Sequence, residues 1–106
     1  MSIFDFFRQP DVNAGVTEYR KTENAVLLDV RTLEEYWGGH IPGSINVPLQ
    51  SIEDVEDVVE NKEVPLFVYC HSGARSRQAT AQLQHMGYSN VKNIGGIAAY
   101  SGKVES

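Results

Sequence analysis

A chain of 106 residues with a formal charge of -5 has room for one domain, one core and one small site, and none for a cleft between two domains. Hydrophobic content of 42% against 22% charged excludes global disorder, and a compact radius of roughly 13 Å is expected at this length. The single cysteine, Cys70, excludes an intramolecular disulfide and an all-cysteine metal site; with only His40, His71 and His85 beside it, neither a metal nor a cofactor is expected.

The N-terminal stretch carries Phe4, Phe6 and Phe7 but no basic segment followed by an apolar run, so no signal peptide is expected. Nowhere do apolar residues approach about 18 in succession, so no membrane span is expected and a cytoplasmic location is. Val12, Val16 and Tyr19 fall at helical spacing behind Asp11, a suitable N-cap, although Gly15 weakens that helix. Residues 25–30 form a continuous apolar run rich in β-branched side chains and ending in charge, the pattern of a strand buried on both faces.

Thr32 and Glu35 have the spacing of a capping box, which predicts a short helix ending near Gly38 and Gly39. Ile41 to Ser44 is a turn, and Ile45 to Val47 a very short strand before Pro48. Ser51 is expected to open a helix with Ile52, Val55, Val58 and Val59 on one face. Leu66 to Tyr69 is the clearest strand, followed by Cys70, a polar loop, and a helix from Arg75 with Ala79, Leu83 and Met86 on one face and Gly87 as its C-cap. Val91 to Ile94 is a last strand, Gly95-Gly96 a tight turn, and Ile97 to Tyr100 one or two helical turns.

Short buried runs alternating with helices predict an α/β fold with a mainly parallel central sheet and helices on both faces. Ligands of such sheets sit beyond the carboxyl ends of the strands, where Asp29 and Cys70 both fall. A lone cysteine after a buried strand is often only a small buried hydrophobe. Here it is followed by His71, Ser72, Gly73, Ala74, Arg75 and Ser76, a polar turn leading into a helix, whose amides can curve around one point and present donors to a thiolate or an oxyanion. Arg77 and Arg75 can add positive charge, or Arg75 can pair with a carboxylate and brace the loop. Charge is also unevenly divided: residues 1–60 hold 12 carboxylates against 4 basic residues, residues 61–106 hold 2 against 5. Asp29 and Arg31 are expected to pair and fix a loop rather than catalyse, and His40 to cap or orient the first short helix. Trp37 and Tyr100 are assigned to packing, His85 to a helix surface.

Asp29-Val30-Arg31, Glu35-Tyr36 and Gly39 through Pro48 resemble the first signature of the rhodanese domain family; Val68 to Ser76 resembles its active-site loop, and Val91 to Gly96 is similar to its final signature. The three occur in the family's order and cover about residues 10 to 100 of the 106. The resemblance implies one rhodanese-like domain over 1–106, with a core of about 10–101, built on a five-stranded, mainly parallel sheet between helices. It implies that Cys70 accepts sulfane sulfur as a persulfide, that residues 71–76 bind the substrate through the loop, and that Asp29, Arg31 and His40 support the site. Thiosulfate or a related small molecule is the implied donor, and an external thiol, cyanide or sulfur-acceptor protein the implied acceptor.

His71 stands where two-domain thiosulfate enzymes carry Arg, and Ser72-Gly73 is similar to mercaptopyruvate-type loops, which leaves the donor open between the two. Tyr100 stands near a position where many members carry Trp. The N-terminal stretch departs from the family pattern, and its aromatics are expected to pack on the domain or on a partner. Two other functions come into consideration. One is a rhodanese-fold sulfur carrier or binding module acting only with a partner protein. The other, a cysteine phosphatase or arsenate-reductase-like enzyme, is disfavoured because four residues rather than five separate Cys70 from Arg75. The net acidic chain without a basic stripe predicts neither nucleic-acid nor membrane binding, and a monomer is the expected state.

Overall fold

Four parallel strands carry the fold of the computed structural model, which describes residues 10–106. They are β1 (Val26–Asp29), β2 (Ser44–Asn46), β3 (Leu66–Cys70) and β4 (Val91–Gly96), in the spatial order β2-β1-β3-β4. The fifth strand that the family resemblance implies is not among the described residues. Phe4, Phe6 and Phe7 lie outside them.

The sheet separates two cores, and side-chain alternation assigns residues to each. On one face Leu28, Val30, Leu66, Val68 and Cys70 pack with Ala79 and Leu83 of α4 (Ala74–His85) and with Ile52, Val55 and Val59. On the other, Leu27, Phe67 and Tyr69 meet Val12 and Val16 of α1 (Val12–Lys21) and Ile94 of β4. Helices cover both faces, as the unbroken apolar runs of β1 and β3 require. The Cα radius of gyration is 12.9 Å. No helix among the described residues is long and apolar enough to cross a membrane.

Local chemistry explains where elements begin. The Asp11 carboxylate accepts hydrogen bonds from the amides of Asn13 and Ala14 and starts α1. Gly15, a weak helix former, is required by contact: a Cβ there would overlap the Ile94 side chain. The capping box of Thr32 and Glu35 is complete and opens α2 (Leu33–Trp37).

Four expectations need correction. The helix assigned to Ser51 begins at Leu49 as a 3-10 turn after Pro48, kinks at Ser51, and becomes helical only in α3 (Val55–Val58). That kink breaks the apolar spacing, so Val58 is exposed while Ile52, Val55 and Val59 are buried. Trp37 is not packed: 64% of its surface is exposed. Gly95-Gly96 is not a tight turn but the end of β4, where one extra residue shifts the register so that Gly95 pairs with Tyr69 and Gly96 with Cys70.

Candidate active site

At the carboxyl ends of the strands Cys70 of β3 pairs with Gly96 of β4, and Asp29 of β1 pairs with Tyr69, one residue before the cysteine. Cys70 is 1% exposed, and the chain turns away from it at once. Gly73 makes the turn with φ 106°, a conformation that carries a steric penalty for any residue with a Cβ, and caps α4. Its amide donates to the Cys70 sulfur at 3.0 Å. The Ser76 hydroxyl, fully buried one turn into the helix, lies 3.4 Å from the same sulfur. Burial pushes the thiol pKa up. Hydrogen bonding with the Ser76 side chain and with the backbone of Ser76, Gly73 and Ser72, which favours the ionised sulfur, outweighs it, and the thiol sits below its ordinary value.

The loop is seated by the end of β4 and the 3-10 turn Ile97–Ala99 that follows it. The His71 carbonyl accepts from the Ala98 amide at 3.0 Å, and a Cβ on Gly96 would overlap His71 and Ser72. Two glycines therefore serve the site for different reasons, Gly73 for its positive φ and Gly96 for close backbone approach.

Of the loop residues, His71, Ser72 and Ala74 are exposed at the rim, whereas Gly73 and Ser76 are buried beneath it. Arg75 does not point to the sulfur. Its guanidinium forms a two-pronged bond with Glu35 of α2 at 2.7 and 3.0 Å, the bracing role considered for it. The Arg75 hydrogen bond is the main reason that the Glu35 carboxyl is pulled down to about 2. Arg77 is exposed.

Asp29 and Arg31 form the expected buried pair, with Arg31 Nη2 2.7 Å from Asp29 Oδ2. The Asp29 carboxylate also accepts from the Arg31 amide at 2.9 Å, and Arg31 donates to the Gly39 carbonyl at 2.7 Å. Asn46 completes the clamp by donating to the carbonyls of Asp29 and Arg31. His40 stacks on the Tyr36 ring at 3.7 Å and donates from Nδ1 to the Tyr36 carbonyl, so it orients the end of α2. Tyr69, one residue before the cysteine and on the opposite face, accepts from the Ile41 amide and joins the Ser44 hydroxyl. Its burial pushes the phenol pKa up.

Sequence reasoning did not assign Glu35, Asn93 or Gly96 to the site. Glu35 was visible as a capping residue, and Gly96 as half of a glycine pair. The Asn93 carboxamide oxygen lies 2.7 Å from the Ser76 hydroxyl, a contact to which no local motif points. No group of three or more metal-ligating side chains occurs among the described residues.

Chemically, the arrangement offers a thiol whose ionised form is favoured by the Gly73 amide and by the positive end of α4. Residues 14–103 match the family of the rhodanese-like domain. The "Putative sulfur carrier protein YrkF" of Bacillus subtilis is 38% identical over 85 residues, covering 78% of this chain and 45% of that protein. The "Thiosulfate sulfurtransferase PspE" of Escherichia coli is 39% identical over 71 residues, covering 66% of this chain and 68% of that one. A solved structure described as "rhodanese with anions from E. coli" superposes with a TM-score of 0.72 at 35% identity, over 77% of this chain and 98% of its own.

Proposed function

The chain belongs to the rhodanese-like domain family, and on that premise we propose that it is a sulfurtransferase that carries sulfane sulfur on Cys70. The observation that carries the reading is the Gly73 amide 3.0 Å from a cysteine sulfur at the carboxyl end of β3. A donor so placed favours a negatively charged sulfur, either the free thiolate or the outer atom of a persulfide. The Cys70 thiolate attacks the outer sulfur of thiosulfate; the sulfur–sulfur bond breaks and sulfite leaves with the electron pair. An external thiolate or cyanide then attacks the outer sulfur of the persulfide, and the Cys70 thiolate is the leaving group. His71 and Ser72 at the rim, with the amides of residues 71–76, bind the donor; Asp29, Arg31 and His40 hold the surrounding loops. The cycle needs no cofactor, because the thiolate is its own nucleophile.

Mass spectrometry after treatment with thiosulfate tests this reading. One added sulfur on Cys70, removed by cyanide with release of thiocyanate, is expected. No added mass would overturn it.

A second reading follows from the similarity to a putative sulfur carrier and from the 1% exposure of Cys70. The chain would then hold sulfur for a dedicated acceptor protein. Loading without turnover on cyanide or small thiols would favour the carrier. Phosphoryl transfer is disfavoured further by the Arg75 guanidinium, which Glu35 occupies.

A further inference from the structure

The Ser76 hydroxyl beneath Cys70 has one hydrogen and too many claims on it. It lies 2.7 Å from Asn93 Oδ1, 3.1 Å from the Gly73 carbonyl, 3.3 Å from the Gly95 carbonyl and 3.4 Å from the Cys70 sulfur. The identity of the Asn93 atom is set independently. The Gly95 amide, which can only donate, points at the same Asn93 atom at 3.0 Å, so that atom is the carboxamide oxygen. Ser76 is therefore the donor in its shortest contact. Its lone pairs are left to face the sulfur, where they accept from a thiol and repel a thiolate.

We propose that Asn93 is a positioning residue that holds the Ser76 hydrogen away from Cys70, so that Ser76 accepts from the thiol and turns to donate only when the thiolate forms. The inference rests on Cys70 being the reacting group of the proposed function, but the switch concerns the thiol itself. On ionisation the Cys70 proton leaves to solvent, the hydroxyl rotates, and Asn93 retains only the Gly95 amide. When the sulfur becomes the inner, uncharged atom of a persulfide, the hydrogen returns to Asn93. Asn93 thus tempers the thiolate that the loop amides favour. A thiolate held less tightly is the stronger nucleophile. The charged groups around Cys70 do not replace this effect: Arg75 of α4 is tied to Glu35 of α2, and Asp29 to Arg31 after β1. His71 beside it is exposed.

The test is the pH dependence of Cys70 alkylation by iodoacetamide, with circular dichroism as the check on folding. Asn93→Ala removes the shortest acceptor of the hydroxyl and leaves the sulfur to compete for its hydrogen with the Gly73 and Gly95 carbonyls alone. The alkylation midpoint is expected to fall by about 0.5–1 pH unit, which, offset by the weaker nucleophilicity of a better-held thiolate, raises the rate about two- to threefold below the midpoint. In a Ser76→Ala background the same substitution is expected to shift nothing, because the hydroxyl that transmits the effect is gone. Asn93→Asp keeps the side-chain shape and serves if Asn93→Ala does not fold. It should move the midpoint upward, by less when Ser76 is absent. An unchanged midpoint, or equal shifts with and without Ser76, overturns the proposal. Because alkylation needs no sulfur donor, such a failure is separate from failure of the sulfur-loading experiment.

Discussion

Both carboxylate oxygens of Glu35 hold the Arg75 guanidinium, at 2.7 and 3.0 Å, across 40 residues of sequence. The same Glu35 carboxylate accepts from the Thr32 amide at 3.0 Å and closes the cap of α2. One side chain therefore starts one helix and anchors the first turn of another, and the cysteine loop lies between those fixed points.

Glu35→Gln is expected to lower stability by about 1–2 kcal/mol at neutral pH, a figure reduced for the partial exposure of both side chains. The sign of the pH dependence follows from a folded carboxyl near about 2 against an unfolded value of 4.5. The contribution is complete above the unfolded value and fades as pH falls through that interval. Urea midpoints of the two proteins should therefore differ at about pH 6 and converge by about pH 2. Parallel curves throughout would contradict the assignment.

Gly96→Ala places a methyl group against His71 and Ser72. The backbone at Gly96 is ordinary extended strand, so the penalty is steric and local to the cysteine loop. Loss of sulfur loading by more than about tenfold is expected, with a loss of stability of about 1–3 kcal/mol. Loading at the wild-type rate would show that the loop does not depend on this seat.

Asp29→Asn leaves the Arg31 charge buried without its counter-ion, and a cost of about 3 kcal/mol or more is expected in chemical denaturation. Replacing both residues, as Asp29→Asn with Arg31→Met, should recover a large part of that loss, because the unpaired charge is then gone. A double variant no better than the single one would mean that the pair contributes through the Gly39 and Arg31 backbone contacts instead.

Cys70→Ser keeps an acceptor for the Gly73 amide and a partner for Ser76. Stability is expected to stay within about 1 kcal/mol of the wild type while sulfur loading is abolished. Thiocyanate formation that survived the change would move the nucleophile elsewhere.

The parts of this fold legible in the sequence are those governed by near neighbours. Asp11 and Thr32 announced their helices because a cap needs only the next three residues. The apolar runs of β1 and β3 announced buried strands, and Cys70 was placed at a strand's carboxyl end by the run before it. What escaped depends on contacts far apart in the chain. Glu35 was readable as a cap but its Arg75 partner was not, and Asn93 meets Ser76 only because β4 lies beside β3. The glycine pair was misassigned for a different reason. A turn and a close backbone approach both call for glycine, and only the position of the His71 loop distinguishes them.

The extra residue in β4 gives the molecule a fixed phase. With it, Asn93 faces Ser76, Ile94 faces Val16 and the rest of the α1 core, and Gly96 arrives opposite Cys70. Removing one residue after Asn93 would keep the first of these and bring Ile97 to the place of Gly96, its side chain driven at the His71 carbonyl. Adding one there would leave a glycine, Gly95, opposite Cys70 but bring Ile94 to the place of Gly95, opposite Tyr69 and out of the α1 core. Substitutions along β4 can be absorbed one side chain at a time, but a change in its length cannot, so insertions and deletions between Asn93 and Gly96 should be far less tolerated than in the connection from α3 to β3.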